Sequence, residues 1–542
     1  MSLVPLLASA VLLSSLLYCL LTVGHRGKDL PPGPPTLPIL GNIHQIPKRG
    51  AHFQLTAWAR QYGGIYSLKL GTGTAVVLTS RTLVKGLLDR KSSIYSARPR
   101  SFVANLISGG DHILLMQYGA QWRAIRKLCH ADLAERVADE RHLPLQEAEA
   151  RQMLADYLSV DPSGDEHMLL PKRFSNSVAM GVVWGARTPR PDTAHMRRLY
   201  SVMEIWSKVM ETGATPPVDI YPFLHRLPQS IFHNWVDRAT HVRNEMNGLY
   251  RDFLANIRTR RAAQGSRNSL MDRALDQAEG PAPSRSDSAM RTGDHELWFM
   301  GGALTEGGSD TSASIITAFV QAMVVYPEVQ RKARAQIDAV VGGDRSPTWS
   351  DYSSLPYVAQ CVKETMRWRP VTPLAFPHAV TRDDWVEAEG GERYFVPEGS
   401  TVILNAWGLH NDPTVFPNPE TFDPDRYAGV TALAPELANG SPERRDHYGY
   451  GAGRRFCPGA HIAERNLFLA MSKLLWAFEI FPGRGEEGKG QAPDVDPKTG
   501  YCEGFLVCAN GFKAGFEVRS GERRETILRE LEEVRGVFQK FE

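Results

Sequence analysis

A mainly α-helical body with minor β structure is the fold class this sequence predicts. Three observations lead there. Helical periodicity dominates residues 115–260, further helix signals run from 294 to 369, and the alternating strand–helix rhythm of a dinucleotide-binding sheet is absent. The chain has 542 residues, 42% hydrophobic and 23% charged, which excludes disorder and collagen-like architecture. At roughly 150 residues per domain the length is nominally three or four domains, yet such a chain also buries one large core without disulfide staples. Lys plus Arg total 62 against 60 Asp plus Glu, a formal charge of +2, so nucleic acid is not an expected partner. The six cysteines (Cys19, Cys129, Cys361, Cys457, Cys502, Cys508) form no CxxC pair. Neither a disulfide framework nor a zinc cage is expected, and a reducing compartment is the simpler environment.

From Leu3 to Val23 there are 21 residues without a charge. As a helix they would span about 32 Å, matching a hydrocarbon core of about 30 Å. Arg26 and Lys28 follow at once, so residues 3–23 read as a transmembrane anchor with everything after them in the cytosol. Ala8-Ser9-Ala10 resembles a signal-cleavage site, but the apolar run continues past it and no basic residue opens the segment. The triplet Asn439-Gly440-Ser441 is then expected to be bare of glycan. Residues 24–49 form a basic, proline-rich linker, and Leu30 to Pro38 should be a stiff, extended spacer that holds the body off the membrane.

Residues 50–520 form the body. Thr74-Ala75-Val76-Val77-Leu78-Thr79, bounded by Gly71-Thr72-Gly73, reads as a strand of a small sheet. Gly265 to Gly293, with Ser, Pro, Arg and Gly clusters, reads as a surface loop or partly disordered segment. Asp294 is placed to cap a long helix through about Tyr326. Pro327 starts another that Gly342-Gly343 closes, and Leu355 to Arg369 is a third stopped by Pro370. Residues 380–450 read as strands and irregular chain, and 459–479 as an apolar helix before C-terminal strands. In the charged tail, residues 521–542, Ile527, Leu528, Leu531, Val534, Val537 and Phe538 fall on one helical face that should pack on the body.

The most informative stretch is Tyr450-Gly451-Ala452-Gly453-Arg454-Arg455-Phe456-Cys457-Pro458-Gly459. A glycine-rich loop lets the backbone approach something flat, and one cysteine sits at the entrance of the helix starting at Ala460. Helix N–H groups and the two neighbouring arginines should stabilise a thiolate, which is what an axial iron ligand needs. The segment resembles the haem-binding loop of the cytochrome P450 superfamily, FxxGxRxCxG, with Gly453, Arg455, Cys457 and Gly459 in register and Tyr450 where the family usually has Phe. The resemblance covers nearly the whole chain after the anchor, and implies a P450 fold.

Gly307-Gly308-Ser309-Asp310-Thr311-Ser312 lies within the helix from Asp294. Two glycines there cost about 1 kcal/mol each relative to alanine, so the helix is expected to open locally beside a small molecule. The stretch resembles the family's (A/G)GxDT(T/S) segment, which implies that Thr311 hydrogen-bonds dioxygen and Asp310 helps relay protons. Glu364 and Arg367, three apart on one helix face, can pair. They resemble the family's ExxR, and Arg426 in Phe422-Asp423-Pro424-Asp425-Arg426-Tyr427 resembles the arginine that completes a structural Glu–Arg–Arg set. Haem carries two propionates, so cations should converge on it. Trp122 and Arg126 match the family's WxxxR, and the resemblance assigns His378 and Arg455 to the propionates. Cofactor-binding residues are thus Cys457, Trp122, Arg126, His378, Arg455, Gly451 and Gly459, with Cys457 the metal ligand.

Other classes fit less well. Gly307 to Thr311 nearly spells the hydrolase GxSxG but ends in Thr inside a helix. His295-Glu296 is not HExxH, and no GxGxxG opens a helix. A haem carrier without turnover has no need of Asp310-Thr311. The expectation is a haem-thiolate monooxygenase of a lipophilic small molecule in the endoplasmic reticulum membrane, similar to fungal enzymes of secondary metabolism. Oxidation of an aromatic xenobiotic, desaturation and rearrangement are alternatives. The resemblance implies electrons from NADPH through a partner flavoprotein reductase, docking on Arg123, Lys127, Arg444, Arg445 and Arg454. It draws the pocket from the 100–120 loop, Phe299–Thr305, Val371–Phe376 and residues near Phe512.

Overall fold

The computed structural model describes residues 3–211, 213–279, 293–485, 489–502, 504 and 506–542. Its helices used below are α1 (Leu3–Thr22), α2 (Ala120–Leu133), α3 (Leu143–Tyr157), α4 (Leu169–Trp184), α5 (Ala194–Met210), α6 (Trp235–Gln264), α7 (Asp294–Val325), α8 (Pro356–Trp368), α9 (Ala460–Ala477) and α10 (Gly521–Glu533). A four-stranded sheet stands beside them, with β1 (Ile65–Leu70), β2 (Gly73–Leu78), β3 (His378–Ala379) and β4 (Thr401–Leu404) in the order β1-β2-β4-β3. β1 and β2 form the hairpin expected from the glycine-bounded Val-rich run; β2 runs parallel to β4, pairing Ala75 with Thr401. β3 pairs antiparallel with β4 and so carries His378 in a fixed register opposite Val402.

The core centres on α7, which buries most of its length against α4, α6 and α9. Gly301, Gly302 and Gly308 are contact points, Gly307 faces open space, and none of them breaks the helix. The helix is continuous through Gly307 and Gly308, contrary to the expected local opening. A Cβ on Gly308 would stand 2.9 Å from the Ala179 Cβ on α4, one on Gly301 2.3 Å from the Trp184 ring, and one on Gly302 2.5 Å from Tyr250 on α6. The helix tolerates the glycine cost because close backbone approach buries more surface in return. Asn176 donates to Ser309 Oγ at 2.9 Å and the Trp184 indole N–H to Thr305 Oγ1 at 2.8 Å, so the polar atoms between the helices are satisfied.

Several expectations need correction. Asp294 is the first residue of α7, not its cap; the cap position is Gly293, and the Asp294 carboxylate accepts from Arg258 at 2.8 and 2.7 Å. The segment read as a loop from Gly265 contains a helix, Leu270–Glu279, with Leu270, Met271, Ala274 and Leu275 buried; residues 280–292 lie outside the described residues. The proline-rich linker is strapped to the sheet and does not stand free. Arg26 donates to the carbonyls of Gly33 and Pro34, each at 2.8 Å, and to Ser67 O on β1, while the Ser67 N–H donates to Pro32 O. Proline offers no N–H but its carbonyl stays an acceptor, which is why such a segment docks on a strand edge. Among the described residues no single helix is long and apolar enough to cross a membrane. The segment expected to do so is the helix α1, on which Leu7, Val11, Leu13 and Leu17 are exposed.

The tail packs on the body, as its periodicity suggests. Ile527, Val534 and Phe538 are buried, the last two against Ala148 on α3, and the Arg187 guanidinium lies 3.6 Å from the Phe538 ring centre. Glu530 accepts from the Ser346 N–H at 2.7 Å. Leu528 departs from the expected face: it is 47% exposed, because it stands about 100° around α10 from buried Ile527. Phe538→Ala should therefore destabilise the protein by about 3–5 kcal/mol, whereas Leu528→Ala should fall within about 0.5 kcal/mol of the parent. Denaturant unfolding of the two variants compares them directly; equal midpoints would remove the tail from the core.

Candidate active site

A cavity of about 1030 Å³ opens between α4, α5, α7, β3 and the loop before α9. Its wall includes Cys457, Gly451, Gly459, Trp122, Arg126, His378, Arg455, Asp310 and Thr311, so the structure brings these nine positions to one space. Glu364, Arg367 and Arg426 stand apart from it, behind the cysteine loop.

The loop owes its shape to glycine at two places. Gly453 has φ of +64° and a Cβ there would stand 2.0 Å from Leu88 O, so no other residue fits; Gly451 has φ of +73°. Gly459 has open space where a side chain would project, and so does Gly307 across the cavity. The Cys457 N–H donates to Tyr450 O at 2.9 Å, closing the loop. Burial pushes the Cys457 thiol up, while the Gly459 N–H and Arg126 oppose it. The expected help from the two flanking arginines is not what is seen. Arg454 is exposed and bonds Ser92 Oγ at 3.2 Å and the Tyr118 hydroxyl, and Arg455 donates to the carbonyls of Ser96, Ile113 and Met116. Arg126, which donates to Phe456 O, is the cation that acts on the sulfur.

Lys172, Arg197 and Lys208 line the cavity on α4 and α5; four more basic side chains line it elsewhere, and sequence reasoning found three of these, Arg126, His378 and Arg455. Arg98 is the fourth. It is buried, donating to Leu114 O at 2.8 Å, Phe376 O at 2.6 Å and Pro377 O at 2.8 Å. It belongs to no motif recognisable in a single sequence. Burial pushes Arg98 down to about 10. Burial, then Arg98 and Arg126, push Arg455 down to about 9. Burial and Arg98 push His378 down to about 3, so it is neutral, donating Nδ1–H to Tyr95 O at 2.7 Å. The Arg455 guanidinium stacks 4.3 Å over the Trp122 ring. Among the described residues no carboxylate pairs with Arg98, Arg126 or Arg455. Uncompensated buried positive charge is costly. Together with the glycine-lined open wall and a free thiol, it fits a flat, dianionic group with a metal that accepts sulfur.

Behind the loop, Arg367 grips Glu364 with two parallel bonds of 2.6 and 2.7 Å, both side chains fully buried. Arg426 lies 3.4 Å from Glu364 Oε1, which also accepts the Asp423 N–H at 2.9 Å. The Tyr448 N–H donates to His410 Nε2 at 2.7 Å, so His410 Nδ1 carries the proton and donates to Arg367 O at 3.2 Å. The ion pair is thereby tied to the strand of chain that becomes the cysteine loop.

On the opposite wall, Asp310 is pushed up by burial, with Lys172 opposing. The Thr311 hydroxyl donates to Gly307 O at 2.7 Å, which leaves its oxygen as an acceptor. Of the expected pocket segments, Ile113 and Leu114, Ala303 and Leu304, and Val371 to Phe376 in part line the cavity. Phe512 does not; it packs on His167, with ring centres 4.8 Å apart, and the wall there is Cys502, Leu506, Cys508 and Ala509. Cys502 and Cys508 are cross-strand partners, a juxtaposition their spacing did not suggest. The face of α5 from Arg197 to Lys208, with Glu211 just past its end, also lines the cavity and carries no sequence signal, because its amphipathic pattern reads as ordinary packing.

The helical body and the thiol-centred, cation-rimmed chamber define a protein built to hold a haem by a cysteine. Comparison agrees: the cytochrome P450 family model matches residues 31–495, and the chain belongs to that family, whose cofactor is haem with a thiolate ligand. It is 50% identical to a cytochrome P450 monooxygenase of Arthrobotrys oligospora over 99% of this chain and 97% of that one. It is likewise 50% identical to the cytochrome P450 monooxygenase acuC of Aspergillus aculeatus, over 96% and 95% of the two chains. A zebrafish cytochrome P450 solved with abiraterone shares the fold with a TM-score of 0.66 at 22% identity, over 86% of this chain and 100% of that one.

Glu364→Ala would leave Arg367 charged, buried and unpaired. A loss of about 3–5 kcal/mol is expected, read as a lowered denaturation midpoint. A midpoint within experimental scatter of the parent would show that the pair does not hold the loop.

Proposed function

We propose that this protein is a haem-thiolate monooxygenase that inserts one oxygen atom from O2 into a lipophilic small molecule. The step belongs to fungal secondary metabolism, and the body faces the cytosol on the endoplasmic reticulum membrane. The observation that carries the reading is a free thiol in a cavity with one buried and two half-buried arginines, none of them paired with a carboxylate among the described residues. The 50% identity to fungal cytochrome P450 monooxygenases supports it.

Cys457 would ligate the iron, and Arg98, Arg126 and Arg455 would hold the propionates. His378 is neutral as it stands; a carboxylate brought against Nε2 would restore its proton and make it a second kind of partner. Gly451 and Gly459 leave the wall flat. When bound, the haem supplies the dioxygen activation and oxygen transfer, which is chemistry the side chains themselves lack. The chain's part is to exclude water, place the substrate and deliver protons. Asp310 suits delivery because burial keeps its carboxyl protonated to higher pH than usual. Thr311 Oγ1, with its own hydrogen given to Gly307 O, would accept a proton bond and direct it.

Electrons would come from NADPH through a partner flavoprotein reductase. Arg123, Lys127, Arg444 and Arg454 are exposed and available to an acidic partner. Arg445 is withdrawn from that set: it is buried, donating to His447 O at 3.2 Å and to Gly451 O, and it braces the loop from behind. The exposed apolar helix α1, 20 residues long, would span about 30 Å. That length, and Lys28 just after it, support the anchor and its orientation.

The dithionite-reduced protein should give a strongly red-shifted Soret band with carbon monoxide, and Cys457→Ser should lose it; an unchanged band in that variant would overturn the ligand assignment. Thr311→Ala should lower product formed per NADPH consumed several-fold while retaining the carbonyl band. Unchanged coupling would take Thr311 out of proton delivery.

A further inference from the structure

The cavity wall is mostly apolar, through side chains such as Val178, Val182, Leu304, Ile315, Val371 and Phe376. Among its polar side chains, Glu306 and His112 form a bonded pair. Glu306, on α7 one turn before Asp310, accepts from His112 Nε2 at 3.1 Å on one oxygen and from the Tyr250 hydroxyl on the other. His112 stacks on Trp206 of α5, ring centres 5.7 Å apart and planes 10° from parallel. The imidazole is thus fixed by the 109–119 segment, by α5 and by α7 at once. Both His112 and Glu306 line the cavity.

His112 is only 2% exposed, yet its Nδ1 has no hydrogen-bond partner among the described residues. A buried polar atom left unpaired costs about 1–3 kcal/mol. A structural staple between the 109–119 segment and α7 does not explain it, since such a staple needs only Nε2. One already exists between the same two elements: His295 on α7 bonds Asp111 at 2.6 Å. Burying a second carboxylate–histidine pair is an expensive way to repeat that contact.

We infer that His112, positioned by Glu306, is the anchor for a hydroxyl group on the substrate. With Nε2–H committed to the carboxylate, Nδ1 presents a lone pair, so the complementary ligand is an apolar molecule carrying an O–H donor. A ligand without one leaves Nδ1 unpaired and is selected against. The inference rests on the monooxygenase reading and adds the chemical class of the substrate to it.

The test is spectral titration of the haem-loaded protein with 1-naphthol and naphthalene, probes of one shape that differ in a single hydroxyl. The parent should bind 1-naphthol about tenfold more tightly, ~1.4 kcal/mol. His112→Phe keeps a ring against Trp206 and should bring the two within about twofold by weakening 1-naphthol alone. Glu306→Leu frees the imidazole and should erode the preference in the same direction. Should His112→Phe fail to give folded protein, Glu306→Leu carries the test by itself. No preference in the parent, or a preference that survives in the variants, overturns the anchor. Loss of the red-shifted carbonyl band in the parent would overturn the haem-thiolate reading instead, so the two failures are told apart in one sample.

Discussion

The active-site loop hangs on one buried ion pair. Glu364 and Arg367 are wholly buried, and an ion pair so placed gains little net stability because both charges lose their water. What it gains is direction. Glu364 Oε1 takes bonds from Arg367 and the Asp423 N–H, Oε2 takes the Arg367 Nε–H, and Arg367 Nη1 reaches the carbonyls of His410 and Pro419. With their hydrogen-bonding capacity so fully used, neither side chain has an alternative geometry. His410 then passes the constraint on, bonding Arg367 O through one nitrogen and the Tyr448 N–H through the other. Nine residues later comes Cys457, whose place this chain of bonds fixes together with the loop's own contacts.

Charge inside this protein is of two kinds, and the contrast separates scaffold from site. Lys363 and Asp446 neutralise each other at 2.8 Å within the scaffold. Arg98, Arg126 and Arg455 satisfy their hydrogens on backbone carbonyls, which meets the geometry but leaves the charge standing. Such charge favours an anionic ligand, which is the part proposed for these arginines. Tyr450 adds a feature of this chain. Where the resemblance leads one to expect Phe, its hydroxyl donates to Glu464 on α9 at 2.9 Å, a second tie between the loop and the helix behind it.

What the sequence made legible is what one element carries by itself. Glu364 with Arg367, Asp310 with Thr311, and Cys457 among its glycines are short spacings whose geometry follows once the element is known. Arg98, and the encounter of His112 with Glu306, depend on segments far apart in the chain, so no local pattern marks them. The glycines of α7 were misread for a related reason. Their local cost is visible in the sequence, but the neighbours that make them necessary, Ala179, Trp184 and Tyr250, lie on other helices. Burial of loop charges is equally hidden: Arg444 and Arg445 are adjacent, yet one is exposed and the other is locked behind the loop. Leu528 lies inside α10 but about 100° around it from Ile527, so the apolar face is narrower than the sequence pattern suggests.

Glu306 and Asp310 stand four residues apart on α7 and line the same cavity, and their surroundings assign them different work. Glu306 is held on both oxygens, by His112 on one and Tyr250 on the other. Asp310 has no such clamp; Lys172 acts on it through charge alone, and burial holds its proton more tightly than an exposed carboxylate would. The two carboxylates thus differ in their surroundings, one clamped between two side-chain donors and the other not. Gly307 lies between them and presents no side chain, so the wall is open where a substrate must pass from one influence to the other. A single helix face thus carries both carboxylates to the chamber one turn apart, in the order that the proposed recognition and proton-delivery roles require.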